Sequence, residues 1–336
     1  MRIGAIDVRD TVLVVAEIGN NHEGDFGVAK ELVARAAESG AQAVKFQTFQ
    51  TRYFVSRRDA ARFARLSGFE LSYPQFAELA ARARACGLAF ISTPLDLESA
   101  RFLEGIVDAY KVASGDNDVY PLLECIARTG KPVIISSGMS ELAGVHAAKR
   151  TVEAVWRSAG IAQELAVLHC VSSYPAPPDE VNLAVLPLLA RELGCVIGYS
   201  DHTQGIEASV LAVALGARII EKHFTLDKHY SDFRDHQLSA DPPELARLVA
   251  AIERARILLG RPEKRVQPSE EATAKVARRS IAAVRDLAAG HTMALDDLMW
   301  IRPPGGLRPG EEARLIGRRL RRAVAAGDQI LASDVE

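Results

Sequence analysis

Eight short apolar runs recur through the first three quarters of the chain. They are VLVVAEIG (12–19), AVKFQ (43–47), LAFIST (88–93), AYKVAS (109–114), PVIISSG (132–138), LAVLHC (165–170), CVIGYS (195–200) and ARIIEKH (217–223). Several are apolar at nearly every position, the pattern of strands covered on both faces. Between them, VAKELVARAAESG (28–40), YPQFAELAARARACG (73–87) and EASVLAVALG (207–216) space apolar residues three and four apart and end at a glycine, a usual helix stop. Strands alternating with helices at this density predict an α/β fold: a closed (β/α)8 TIM barrel over 1–260, favoured over an open doubly wound sheet.

The pattern fails after residue 260. RPEKRVQPSEEATAK (261–275) is polar, carries two prolines and reads as a linker. In 276–336 the texture changes again, and AAGHTMALDDL (288–298) resembles AAGDQILASDV (325–335). Each copy follows a basic start and a short apolar run, so a small β-rich domain built on a duplication is expected. Its core is thin for its size, and docking on something larger is expected.

Composition narrows the function. The 336 residues are 48% apolar, and 41 Lys+Arg against 43 Asp+Glu leave a net charge of −2. Nothing in that balance predicts a nucleic-acid groove or a membrane-binding face. Cys86, Cys125, Cys170 and Cys195 form no CxxC pair, sit in or beside apolar segments, and read as buried free thiols. Without a signal-like start or a membrane-length apolar run, the expectation is a reduced, cytoplasmic, soluble protein.

In such a barrel the chemistry gathers at the C-terminal ends of the strands. Every run ends in polar or ionisable groups there: Glu17; Lys45 and Gln47; Ser92 and Thr93; Lys111 and Ser114; Ser136; His169 and Ser172; Ser200, Asp201 and His202; Glu221, Lys222 and His223. Lys45 and Lys111 lie inside apolar runs, where an ammonium needs an anion or a shifted pKa. A salt bridge to an acid such as Glu17, a Schiff base and a phosphate clamp all satisfy that demand. Thr93, Ser114, Ser136 and Ser200, with the glycine turns SGD and SSGMS, favour phosphate. His202 and His223 end neighbouring strands and could share a divalent ion such as Mn²⁺, Fe²⁺ or Zn²⁺ with water or substrate oxygens. A hydrogen-bonded histidine pair, or an acid–base histidine beside Asp201, is the alternative.

The ordered motifs VAEIGNNHEGD, VKFQT, ISTP, YKVASGD, ISSGMS, LHCVSSYPAPPDEVNL, GYSDHT and IEKHFTLDK resemble the sialic acid synthase family. Those enzymes condense phosphoenolpyruvate (PEP) with an N-acylated amino sugar. The stretch from RRSIAA to SDVE resembles that family's C-terminal SAF, or antifreeze-like, domain. The resemblance implies that His202 and His223 hold Mn²⁺ or Mg²⁺, which polarises the sugar aldehyde. It implies PEP contacts from Lys45, Lys111, Thr93, Ser114, Ser136, Ser172 and Ser200, with serine at 172 where asparagine is frequent. It implies sugar contacts from Gln47, Asp116, Tyr174 and Asp235, and an Arg302 that reaches a partner chain in a domain-swapped homodimer. Glu17 is the expected handler of the attacking water, with Glu221 either assisting it or holding His223. The departures lie in sugar-facing regions. Asp116 replaces a frequent glutamate, HYSDFRDHQLS replaces a PGPDH-like segment and introduces Arg234, and RPPGGLRPG replaces RPGTG. N-acetylmannosamine is the leading acceptor, with its 6-phosphate and 2,4-diacetamido sugars as rivals. A Schiff-base aldolase on Lys45 or Lys111 is the more distant alternative.

Overall fold

The eight apolar runs form β1 (Leu13–Gly19), β2 (Ala43–Thr48), β3 (Ala89–Pro94), β4 (Ala109–Val112), β5 (Val133–Ser136), β6 (Leu165–His169), β7 (Val196–Asp201) and β8 (Ile219–His223). All pair in parallel, and β8 closes on β1 with His223 opposite Glu17. The computed structural model describes residues 1–336 as two units, Met1–Gly260 and Arg261–Glu336. The first unit is a TIM barrel, with helices such as Phe26–Glu38, Tyr73–Ala85 and Leu142–Ala159 following its strands. The helix caps follow the sequence: Asp25, Asp59, Asp96 and Asp241 each accept a backbone N–H of the first turn.

Strand geometry sends successive side chains to opposite faces. One set, including Val14, Ala16, Ile18, Val44, Phe46, Phe90, Tyr110 and Ile135, packs with the helices. The other set, including Leu13, Val15, Ala43, Ala89, Ile91, Ala109, Ile134, Ala166, Leu168 and Ile219, fills the barrel interior. Each fully buried Leu, Ile or Val contributes about 1.5–3 kcal/mol. The interior set continues upward by twos into Glu17, Lys45, Thr93, Lys111, Ser136, Cys170, Ser200, Glu221 and His223. Pleating is therefore what aims the chemistry.

A feature the apolar runs do not announce closes the other end. Arg2–Ile3 and Ile6–Asp7 form an antiparallel hairpin. Its Met1 and Ile3, with Val8, are fully buried against the interior residues at the strand starts. The barrel floor is thus a hydrophobic plug.

The second unit pairs β9 (Ser280–Ala283) with antiparallel β10 (Leu298–Ile301) around a core of Ile281, Leu287, Met293, Leu315, Leu320 and Ile330. The sequence duplication is visible in it. Asp297 accepts from Arg285, at 2.5 Å, and from the Ala294 backbone. Asp334, the equivalent in the second copy, accepts from Arg322, at 2.7 Å, and from the Leu331 backbone. The expected linker is partly structured, since Glu271–Ala277 is a helix. No helix in the chain is long and apolar enough to cross a membrane.

Candidate active site

The upward-facing residues enclose a cavity of about 320 Å³ at the C-terminal end of the barrel. Glu17, Lys45, Gln47, Thr93, Lys111, Ser114, Ser136, Ser172, Tyr174, Ser200, His202, Glu221 and His223 all line it. The strand-end rule overreached at four positions, because pleating turns alternate residues outward. Lys222 is fully buried away from the cavity and pairs with Asp201 at 3.2 Å. Ser92 bonds Thr48, at 2.8 Å, and His169 bonds the Val181 carbonyl, also at 2.8 Å.

Inside, two carboxylates compete for one ammonium. Lys45 Nζ lies 3.1 Å from Glu17 Oε1 and 3.3 Å from Glu221 Oε1, and all three side chains are buried. Glu221 has further support, accepting from Ser200 Oγ at 2.9 Å. Burial opposes its charge, but Lys111 and Lys45 overcome that and hold its carboxyl below the usual range. Glu17 has less help. Its Oε2 has no hydrogen-bond partner. Burial outweighs Lys45, and the Glu221 charge adds to burial, so its carboxyl is raised well above the usual range. Glu17 is the member of the pair that can exchange a proton near neutral pH.

Lys111 is the opposite case. It is 2% exposed and takes part in no ion pair; its Nζ donates to Ser136 Oγ at 2.5 Å and to the Val112 carbonyl at 3.0 Å. Burial pushes its ammonium down, with Glu221 opposing. The wall beside it is built from short hydroxyls. Ser114 Oγ and Cys170 Sγ are 3.0 Å apart, and Ser172 Oγ is buried without a partner. Gly138 closes this wall, because a Cβ there would lie 2.6 Å from Ser114 Oγ and 2.8 Å from Cys170 Sγ. Asn117 holds the Gly138 turn through the Ser136 and Gly138 carbonyls.

His202 and His223 face each other with ring centroids 5.5 Å apart. His202 Nδ1 is bonded to the Val171 carbonyl at 2.7 Å, which leaves Nε2 with the lone pair. Burial lowers both imidazoles below the usual histidine range; for His223, the adjacent His202 adds to it. His223 Nδ1 is buried with no partner. Two neutral imidazoles on adjacent strands, one with an orphaned nitrogen, fit a divalent ion whose remaining ligands come from water or substrate. They do not form a protein-only cage, since no three His, Cys, Asp or Glu side chains converge.

A second chamber of about 440 Å³ adjoins the first, sharing Gln47, Tyr174, His223 and Arg234 with it. Asn20, Phe54, Arg62, Arg65, Leu66, Phe233 and Asp235 complete its wall. Tyr174 stands between the chambers, its ring 4.3 Å from His202 and under Arg234 at 4.6 Å. Asp235 belongs to this outer chamber. Asp116 faces elsewhere: the turn Ser114–Asp116 delivers it to a neighbouring pocket with Tyr53, Leu97 and Arg101, where burial raises its carboxyl to about 6. Arg302 is exposed in the second unit. Sequence reading did not pick out Arg62 or Arg65, and of the four thiols expected to be buried only Cys170 is, Cys86 being exposed and Cys125 and Cys195 half-buried. The arginines lie on an ordinary charged helix, Ala60–Phe69.

Residues 32–264 match the model of the NeuB family, and residues 278–336 that of the SAF domain. The chain is 38% identical to the N,N'-diacetyllegionaminic acid synthase of Legionella pneumophila, over 97% of this chain and 95% of that one. It is 33% identical to the N-acetylneuraminate-9-phosphate synthase of Mus musculus, over 96% and 92% of the two chains. The crystal structure of N-acetylneuraminic acid (sialic acid) synthetase from Leptospira borgpetersenii superposes with a TM-score of 0.75 at 34% identity, over 81% and 94% of the chains.

Proposed function

The chain belongs to the NeuB family, and from that premise we propose that it condenses PEP with an N-acylated amino sugar of the N-acetylmannosamine type. The products are a nine-carbon 2-keto sugar acid and inorganic phosphate. Its relatives act as synthases of legionaminic acid, pseudaminic acid and N-acetylneuraminate 9-phosphate, which makes each of those a neighbouring outcome. The observation that carries the reading is Lys111, a buried ammonium with no carboxylate partner in a cavity walled by hydroxyls. Such a site is short of negative charge, and a phosphoenol carboxylate supplies it.

Lys111 and Lys45 bind the anionic groups of PEP, while Thr93, Ser114, Ser136, Ser172 and Ser200 orient them. His202 and His223 would hold Mn²⁺ or Mg²⁺, which when bound supplies Lewis-acid polarisation of the sugar aldehyde. C3 of PEP attacks the aldehyde carbon, the carbonyl π pair moves onto oxygen as an alkoxide, and a proton from solvent converts it to the hydroxyl. Water adds to the oxocarbenium at C2 and gives its proton to Glu17, whose raised carboxyl suits a base working near neutrality. The C2–O bond to phosphate then breaks as the C2 hydroxyl passes its proton to the departing phosphate, leaving the ketone. Glu221, held ionised by both lysines, keeps Lys45 in place and stabilises positive charge at C2. Gln47, Tyr174 and Asp235 position the sugar. The reading carries a domain-swapped homodimer in which Arg302 of one chain completes the site of the other.

Phosphate release from PEP, measured with Mn²⁺ and a panel of amino sugars, tests the proposal. Release that requires a sugar and yields a 2-keto acid supports it. PEP labelled with ¹⁸O at its bridging oxygen should give labelled phosphate; unlabelled phosphate would rule out C–O cleavage. The lowered Lys111 ammonium is the one feature that favours a Schiff-base aldolase. A borohydride-trapped adduct with a carbonyl substrate would establish that instead.

A further inference from the structure

The outer chamber contains a charge pattern that PEP does not use. Arg62 and Arg65 stand one turn apart on the helix Ala60–Phe69, and both line the chamber. Arg234 lines it too, stacked over the Tyr174 ring, and Arg62 lies over the Phe54 ring at 5.7 Å. The one acid in the wall, Asp235, is already 3.3 Å from Arg234. Neither Arg62 nor Arg65 takes part in an ion pair within 4.0 Å. The chamber is therefore net positive toward its contents. It also holds a polar atom that awaits a ligand. Asn20 is 7% exposed, and its Oδ1 is buried without a hydrogen-bond partner, whereas the Oδ1 of Asp235 is the atom that faces Arg234 Nε. Asn20 donates its own amide to Gln47 at 2.9 Å, which ties the inner wall to the outer.

The two chambers share His223 and Tyr174, so one extended ligand can run through both. An open-chain sugar with its aldehyde beside His202 and His223 would place its hydroxyls against Asn20, Gln47 and Asp235. Its far end would emerge among the guanidinium groups. From this arrangement we infer that the acceptor carries an anion at the end remote from its aldehyde, and that Arg62, Arg65 and Arg234 select it. The ligand class is an N-acylamino sugar bearing a terminal phosphate ester or carboxylate. Guanidinium forks match either group, and phosphate offers them more oxygens. The inference rests on the synthase reading above and specifies its substrate.

The test uses full-length protein with Mn²⁺ and PEP. Three acceptors share one skeleton: N-acetylmannosamine, its 6-phosphate and the matching 6-carboxylate. A 2,4-diacetamido sugar serves as a second neutral acceptor. The expected result is a kcat/KM about 100-fold higher for an anionic acceptor than for either neutral one. Comparing the phosphate and carboxylate arms identifies the anion. In the Arg62→Ala/Arg65→Ala variant that ratio should collapse by about 30-fold, chiefly through KM of the anionic acceptor. Raising the salt should shrink it as well. Equal or faster turnover of a neutral sugar would overturn the inference while leaving the synthase reading intact. So would a ratio unchanged in the variant. If no acceptor consumes PEP, the synthase reading fails, and calorimetric binding of the 6-phosphate still decides the anion site. Equal affinity in wild type and variant would then sink it.

Discussion

At the scale of single residues, Glu17 and Lys111 divide the work by their surroundings. Both are buried, but Glu17 shares its one cation with Glu221, and Lys111 has no carboxylate in contact with it. Lys111→Met should therefore raise KM for PEP by about 100-fold, read from initial rates, because the deleted ammonium is desolvated and has no substitute. Glu17→Gln should lower kcat by about 100-fold with little change in KM for PEP, the mark of a lost proton acceptor. The pH profile gives a second reading. Burial raises the Glu17 carboxyl, so the base is formed only as pH climbs past the ordinary carboxylate range. The acid limb of kcat should fall nearer neutrality than a normal glutamate would place it. A limb below pH 5 would remove Glu17 from the water step.

At the scale of elements, the strands were legible and their facing was only half so. Near-continuous apolar runs disclosed all eight strands, because burial on both faces leaves no polar positions. That same continuity hides which side chains point inward. GARIIEKHF shows the difficulty, since Glu221, Lys222 and His223 look equivalent in sequence. Pleating sends Glu221 and His223 into the cavity and Lys222 against Asp201. The signal was present as spacing by two from the buried Ile219, and it needed the inward direction of one residue to be read. The hairpin at Arg2–Asp7 escaped because two-residue strands have no periodicity. Arg62 and Arg65 escaped because nothing local separates a ligand-facing arginine from a solvated one. Lys222→Met should cost about 3–5 kcal/mol in urea unfolding, since it strands the buried Asp201 charge. In the second unit, Asp297 is held down to about 2; burial works against its charge, but the His291, Ala294 and Arg285 bonds prevail. A depressed carboxyl stabilises above its unfolded pKa, so that unit should weaken as pH falls from about 4 toward 2. Asp297→Asn should flatten this dependence in acid unfolding followed by circular dichroism.

At the scale of the whole molecule, the proposed swap of Arg302 between chains is open to a mixing experiment. Glu17→Gln chains keep Arg302 but lose the base; Arg302→Ala chains keep the barrel but lose the arginine. Unfolded together and refolded, they should form mixed dimers with one complete site and recover activity above either parent. No recovery in a verified mixed dimer would exclude a shared site. The plugged floor of the barrel bears on traffic. Met1, Ile3 and Val8 seal the end opposite the cavity, so traffic to the inner and outer chambers is confined to the C-terminal end of the strands. The compound that sits deeper has to enter first and leave last. Kinetics should accordingly be a queue: PEP ahead of the sugar on the way in, the sugar acid ahead of phosphate on the way out, with phosphate competing against PEP alone.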